Sequence, residues 1–255
     1  MDKRLIVAKK VILKAGDYLN NRFYKKHSQL RKKDNTTLLE EDLKSEEILM
    51  GGIHKYFPSD SFFSEETETE IKSDFVWVID PLCGTYSYLR GVETWSLSVA
   101  LVENNEYLLG VVYQPVLGNL FYAQIGSGAY KNNEQIHVSK VKNLSESFIS
   151  FEHAVFGSGK INTQRLISDI KRIRVGHGTG SELSYVAAGH LDAVIKTDQE
   201  LMHFAGGRVI LEAAGGAFIN FQGNNVRTFL DRNKKVNYIA TNKHLQRKLL
   251  EYCLL

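Results

Sequence analysis

The sequence predicts an α/β chain with two halves, an α+β segment over residues 1–140 and an alternating α/β segment over 141–255. Three patterns predict it. Apolar residues recur at helical spacing at the start, strand-like runs separated by turn signals follow from about residue 96, and after about residue 145 strand and helix patterns alternate. The division near residue 140 rests on this change of pattern, because no repeat or low-complexity linker marks it.

Ile6, Val7, Val11, Ile12, Ala15, Tyr18 and Leu19 lie on one helical face opposite lysines, which predicts a first amphipathic helix to about residue 24. The charged stretch RKKDNTTLLEED leads into a second helix, from Asp42 to about Tyr56, closed by Phe57-Pro58. Ser61 to Ser64 reads as a buried strand that delivers Glu65 and Glu66 at its end. Phe75 to Ile79 is a β-rich run expected to stop at Asp80-Pro81, since proline offers no backbone donor. SLSVALVE, YLLGVVYQPV and NLFYAQI, parted by Asn-Asn and Leu-Gly, predict an antiparallel meander. SFISF, Thr163 to Ile170, RIRVG, Ser181 to Ala188, AVIK, Leu201 to Ala214, AFINF, YIATN and a helix from His244 then alternate as strands and helices.

Composition narrows the function classes. The 32 basic and 29 acidic residues leave a net charge of +3, too small to suggest a nucleic-acid groove but compatible with a small anionic substrate. Cys83 and Cys253 cannot form a disulfide framework and fit a reducing, cytoplasmic compartment. Lysines interrupt the first residues, so neither a signal peptide nor a membrane span is expected.

The stretch VIDPLCGTYSYLRG carries the most chemistry. An acid at a strand end precedes a Gly-Thr able to open a helix, whose free first-turn amides suit a phosphate; an Asp-Pro turn capped by Thr85 is the plainer reading. The GHGTGS run at residues 176–181 lacks the lysine of a P-loop and the acidic partner of a dinucleotide site. His153 and His177 have no partner visible in sequence and read as surface or core histidines.

These segments together resemble the inositol monophosphatase family, whose central motif is usually Asp-Pro-Ile-Asp-Gly-Thr. Asp80, Pro81, Gly84 and Thr85 match it, with Glu65-Glu66 upstream and Asp42 on the second helix. GTGSELSYVAAGHLDAVI and HFAGGRVILEAAGGAFI, with Glu212, Gly215 and Gly216, resemble two later family segments. The resemblance implies a layered αβαβα sandwich and a metal-dependent phosphomonoesterase acting on a small phosphorylated sugar, cyclitol or nucleotide. It implies Mg²⁺ held by Glu65, Asp80 and the Leu82 carbonyl, with Asp42 in the same acidic group, and a water oriented by Glu65 and Thr85. Backbone amides of Cys83, Gly84 and Thr85 would hold the phosphate, and relatives commonly form homodimers.

Two departures leave alternatives open. The family's second motif aspartate is Cys83 here, and its downstream Trp-Asp pair is Met202-His203. Thiol and imidazole suit Zn²⁺ or similar softer ions better than Mg²⁺. Asp80, Cys83 and His203 therefore admit three readings: a second site that is empty, one that holds an ion such as Zn²⁺ or Mn²⁺, or a catalytically impaired protein that binds a phosphorylated ligand or a partner chain. The family's substrate-facing glutamate is Lys196 here, which predicts a substrate with an added anionic group, the alternative being a lysine that points to solvent. The basic run Arg31 to Lys33 adds positive charge near the same pocket or forms a solvated face.

Overall fold

The computed structural model describes residues 2–31, 37–228 and 230–254. The amino-terminal part contains α1 (Lys3–Arg22), β1 (Gln29–Arg31), β2 (Thr37–Leu39) and α2 (Glu40–His54). β3 (Ser61–Ser64), β4 (Phe75–Cys83), α3 (Thr85–Leu89), β5 (Ser96–Glu103), β6 (Glu106–Gln114), β7 (Asn119–Gln124), β8 (Ala129–Lys131) and β9 (Glu134–Ile136) follow. The rest comprises β10 (Phe148–Phe151), α4 (His153–Gly157), α5 (Thr163–Asp169), β11 (Arg172–Val175), α6 (Thr179–Ala187), β12 (Ala193–Gln199), α7 (Leu201–Ala213), β13 (Gly216–Asn220), β14 (Val236–Asn242) and α8 (Gln246–Leu250).

Five layers result. α1 and α2 cover one face of a seven-stranded sheet ordered β3-β4-β5-β6-β7-β8-β9. α6 and α7 lie between that sheet and a five-stranded one ordered β11-β10-β12-β14-β13, while α4 and α8 contact the latter sheet at β12 and β14. Each interlayer space holds its own apolar cluster. Leu19, Trp77 and Leu101 belong to the first, Val78, Phe204 and Phe218 to the central one, and Phe151, Ile195 and Leu249 to the third. This is the αβαβα sandwich that the resemblance implied.

The approach of α7 to the large sheet depends on absent side chains. A Cβ on Gly110 of β6 would meet the Gly206 carbonyl at 2.4 Å, and one on Gly206 would meet Ser98 Oγ at 2.5 Å. Helix backbone thus rests almost directly on strand backbone, which brings the first turn of α7 down to the end of β4.

Local boundaries depart from expectation in three places. β4 does not stop at Asp80-Pro81 but continues to Cys83, because a shift in its register with β5 between Asp80 and Cys83 absorbs the proline. The second helix starts at Glu40 rather than Asp42, since the Asp42 carboxylate at its third position accepts the Leu39 amide at 2.7 Å and fastens an earlier start. The expected charged lead-in starts on the last residue of β1 and includes β2, and these two strands pair antiparallel. Within the basic run, Lys32 and Lys33 lie outside the described residues.

Candidate active site

Strand pairing creates the acidic pair. β3 and β4 run parallel with Ser64 opposite Ile79, so one more residue along each chain sets Glu65 beside Asp80. The Glu65 amide donates to the Ile79 carbonyl at 3.2 Å and locks this step. α7 adds His203 from its first turn, with Nδ1 3.1 Å from Asp80 Oδ2. The donor atoms of Glu65, Asp80 and His203 all lie within 4.8 Å of one another.

Two residues absent from the sequence reading hold Glu65 in place. Glu46, buried on α2, accepts the Glu66 amide at 3.0 Å, the Thr67 amide at 3.2 Å and the hydroxyls of Ser64 and Thr67. From the other side, the Arg232 guanidinium donates to the carbonyls of Ser64, Glu65 and Thr67. A loop rich in carboxylates is thereby fixed through its backbone. Glu46 sits one turn beyond Asp42 on the buried face of α2, a periodicity that could have singled it out.

Asp80 is fully buried, and burial followed by the charge of Glu65 pushes its pKa up, against the opposing pull of His203. His203 moves upward too: burial works against its charge, but the Asp80 hydrogen bond and the Glu65 carboxylate outweigh that effect. Asp80 Oδ1 is buried without a satisfied hydrogen bond, its neighbouring weak donor being the Cys83 thiol. A buried, under-satisfied carboxylate oxygen beside a second carboxylate fits a hard dication.

Asp42 stands behind Thr85. Its Oδ1 lies 3.0 Å from Thr85 Oγ1, which is also 3.1 Å from the Leu82 carbonyl. Burial, with added repulsion from Glu66 and Glu65, raises Asp42 to about 8. The Thr85 hydroxyl has one proton for two acceptors. A protonated Asp42 resolves this by donating to Thr85, which then donates to Leu82.

The Asp42 shift has a consequence for stability. Between the ordinary value of 3.8 and about 8, the folded chain keeps a proton that the unfolded chain has lost. The contribution of Asp42 to folded stability is therefore expected to fall as pH rises through that window, by up to roughly 1.4 kcal/mol per unit for one proton. Urea unfolding of metal-free protein at several pH values is expected to show this decline, and Asp42→Asn to flatten it. An unchanged slope in the variant would refute the assignment.

The remaining expected site residues divide. Cys83 is buried with its thiol beside Asp80, the Gly180 amide donates to it, and burial raises its pKa well above the ordinary range. The donor set that converges around Asp80 within 4.8 Å is nevertheless Glu65, Asp80 and His203; the Cys83 thiol neighbours Asp80 without joining that set. Lys196 does not point to solvent. It is 1% exposed on β12 and forms an ion pair with Glu182 of α6 at 2.8 Å, because an ammonium enclosed between two layers requires a carboxylate partner.

Gly84, with φ of 97°, turns the chain from β4 into α3. Gly178 starts α6 with φ of 87°, and a Cβ there would lie 2.7 Å from the Thr94 carbonyl and 3.7 Å from that of Cys83. Two helix starts thus meet at the end of the motif. A cleft of about 520 Å³ opens beside them, lined by Tyr86, Arg90, Thr94, Arg174 and His177 among others.

Comparison with known proteins places the chain in a family. A fructose-1,6-bisphosphatase/inositol-1-monophosphatase of Thermotoga maritima is 35% identical over 188 residues, covering 74% of this chain and 73% of its own. A histidinol-phosphatase of Chlorobaculum parvum is 30% identical over 228 residues, 88% of each chain. The solved structure of a Thermotoga maritima IMPase superposes with a TM-score of 0.90 at 29% identity, covering 98% of this chain and 96% of that one. With the family model matching residues 1–253, this chain belongs to the inositol monophosphatase family.

Proposed function

We propose that this phosphoric monoester hydrolase acts, with a divalent cation held by Glu65, Asp80 and the Leu82 carbonyl, on a small phosphorylated sugar, cyclitol or nucleotide. The observation that carries the reading is the convergence of Glu65 and Asp80 beside the Gly84-Thr85 helix start. When bound, the cation, with Mg²⁺ the first choice for oxygen donors, would neutralise phosphate charge and acidify water. The chain supplies the rest. First-turn amides at Gly84 and Thr85 face a phosphate with donors that have no helical acceptor. Thr85, its proton directed by Asp42, and Glu65 orient the attacking water in line with the phosphorus.

His203 takes the place of a second anionic ligand with a cation of its own. In the metal-free protein the Asp80 hydrogen bond and the Glu65 carboxylate raise its pKa against burial, which favours the charged imidazolium next to Asp80. Positive charge there offsets negative charge that develops on the leaving oxygen. Because Asp80 engages Nδ1, any proton passed onward leaves from Nε2.

The second anionic group expected of the substrate gains support from Arg90 and Arg174 in the cleft rather than from Lys196. An Arg174→Ala variant is expected to raise KM for sugar bisphosphates about tenfold or more over that for simple monoesters, the loss of one charge-assisted contact. The decisive assay takes chelator-stripped protein through a panel of phosphate esters with Mg²⁺, Mn²⁺ or Zn²⁺. Turnover restored by a cation is the expected result. Phosphate-ester binding without turnover under any ion would instead identify a ligand-binding relative that has lost hydrolysis.

A further inference from the structure

A second group of metal-binding donors lies outside the Glu65–Asp80–His203 cluster. Glu152 follows β10, His153 begins α4, and His177 follows β11, so no stretch of sequence unites them all. The sheet does. β10 and β11 are parallel neighbours with Phe151 opposite Val175, and the Gly176 amide donates to the Phe151 carbonyl at 3.1 Å. Carrying that register two residues further sets His153 against His177. Their ring centroids are 5.7 Å apart, and one donor atom from each of Glu152, His153 and His177 falls within 4.8 Å of the others.

We propose that Glu152, His153 and His177 form a binding site for a divalent transition ion of the Zn²⁺ class at the rim of the cleft lined by Arg90 and Arg174. Two imidazoles and one carboxylate form a mixed nitrogen and oxygen set that suits Zn²⁺ and discriminates against Mg²⁺, which takes oxygen ligands in near-octahedral order. Zinc bonds of about 2.0 Å in a tetrahedron put donors about 3.3 Å apart. The donors already lie within 4.8 Å of one another, and rotation of two exposed imidazole rings is the movement that would bring them to that spacing.

The carboxylate is already held. Gln199 Nε2 donates to Glu152 Oε2 at 2.7 Å, and the Gln199 amide is itself oriented by Thr179 Oγ1 at 3.1 Å and the Thr197 carbonyl at 3.0 Å. Gln199 is 9% exposed and Thr179 5%, so this support is part of the packed interior. Ligating carboxylates are commonly oriented by such outer partners. Three protein ligands leave a fourth position open, and His177 lines the cleft that also contains Arg174. An ion here would tie the loop before α6 to the end of β10 and present its open position to the cleft. The site is independent of whether the chain hydrolyses phosphate esters.

The test uses the full chain, stripped by chelator, carrying Glu65→Gln and kept in excess Mg²⁺ so that the Glu65–Asp80–His203 cluster does not compete. Zn²⁺ is titrated calorimetrically, and Co²⁺ serves as its visible-absorbing substitute. About one equivalent of Zn²⁺ is expected to bind, with a tetrahedral-type Co²⁺ spectrum. His153→Ala and His177→Ala are each expected to weaken binding by at least about 10- to 100-fold, the range lost when even an outer partner is removed. Further replacement of His203 by alanine is expected to change nothing. Both rings are exposed, so circular dichroism should show an unaltered fold in the histidine variants. Zn²⁺ binding that survives loss of both His153 and His177, or no binding in the parent protein, would overturn the proposal.

Discussion

Asp80→Asn is expected to lower turnover by about 10³-fold or more, equivalent to roughly 4 kcal/mol of transition-state stabilisation, without unfolding the chain. The substitution keeps the shape of a fully buried side chain but removes the charge that, with Glu65, would hold a cation. It also takes from His203 the carboxylate that contributes most to keeping its imidazole protonated. Both sources of positive charge near the phosphate are weakened by one change. Stability should follow a different course. Burial and the Glu65 charge make the ionised Asp80 carboxylate unfavourable, so a neutral amide is expected to leave metal-free protein about as stable as before. Steady-state kinetics with the best ester, paired with thermal unfolding of the same sample, separates the two effects. Activity within tenfold of the parent would remove Asp80 from its catalytic role.

The parts of this site that were legible in the sequence are those that depend on adjacent residues. A β-rich run ending in an acid, followed by Gly84-Thr85, marks a strand-to-helix turn, and the structure places that turn at the end of β4. The five-layer fold was accessible through the match of four ordered segments to a family pattern, since alternation of strand and helix alone does not specify how two sheets stack. What escaped was decided by pairing across the chain. His153 lies beside His177 because of a parallel register that no local pattern encodes, and the same kind of register sets Glu65 beside Asp80, a pairing that only the family resemblance had suggested. Glu46 and Arg232 act on backbone groups of the Glu65 loop, so their side-chain types carry no catalytic signature. The expected stop at Pro81 failed because a local register shift accommodates a missing donor within a strand.

Lys196 shows the same limit most sharply, and it supports the largest stability effect expected here from a single substitution. An ammonium four residues beyond Asp192 suggested contact with a substrate anion, but its partner is Glu182, on a helix packed against the strand. Burial alone would drive the proton off Lys196; Glu182, with Glu152 behind it, instead raises its pKa above the ordinary range. Glu182 is fully buried and also accepts a hydrogen bond from Ser150, so its charge has no route to water. Lys196→Met fills the space but leaves that carboxylate uncompensated, and is expected to destabilise the fold by about 3–5 kcal/mol. Adding Glu182→Gln removes the stranded charge while keeping an acceptor for Ser150, and should recover most of the loss. Denaturant unfolding of the parent, both single variants and the double variant closes the cycle. Additive single effects would show that the two charges do not depend on each other. Strong coupling would mean that a lysine at this position serves the packing of α6 against β12, leaving recognition of the second anion to the arginines of the cleft.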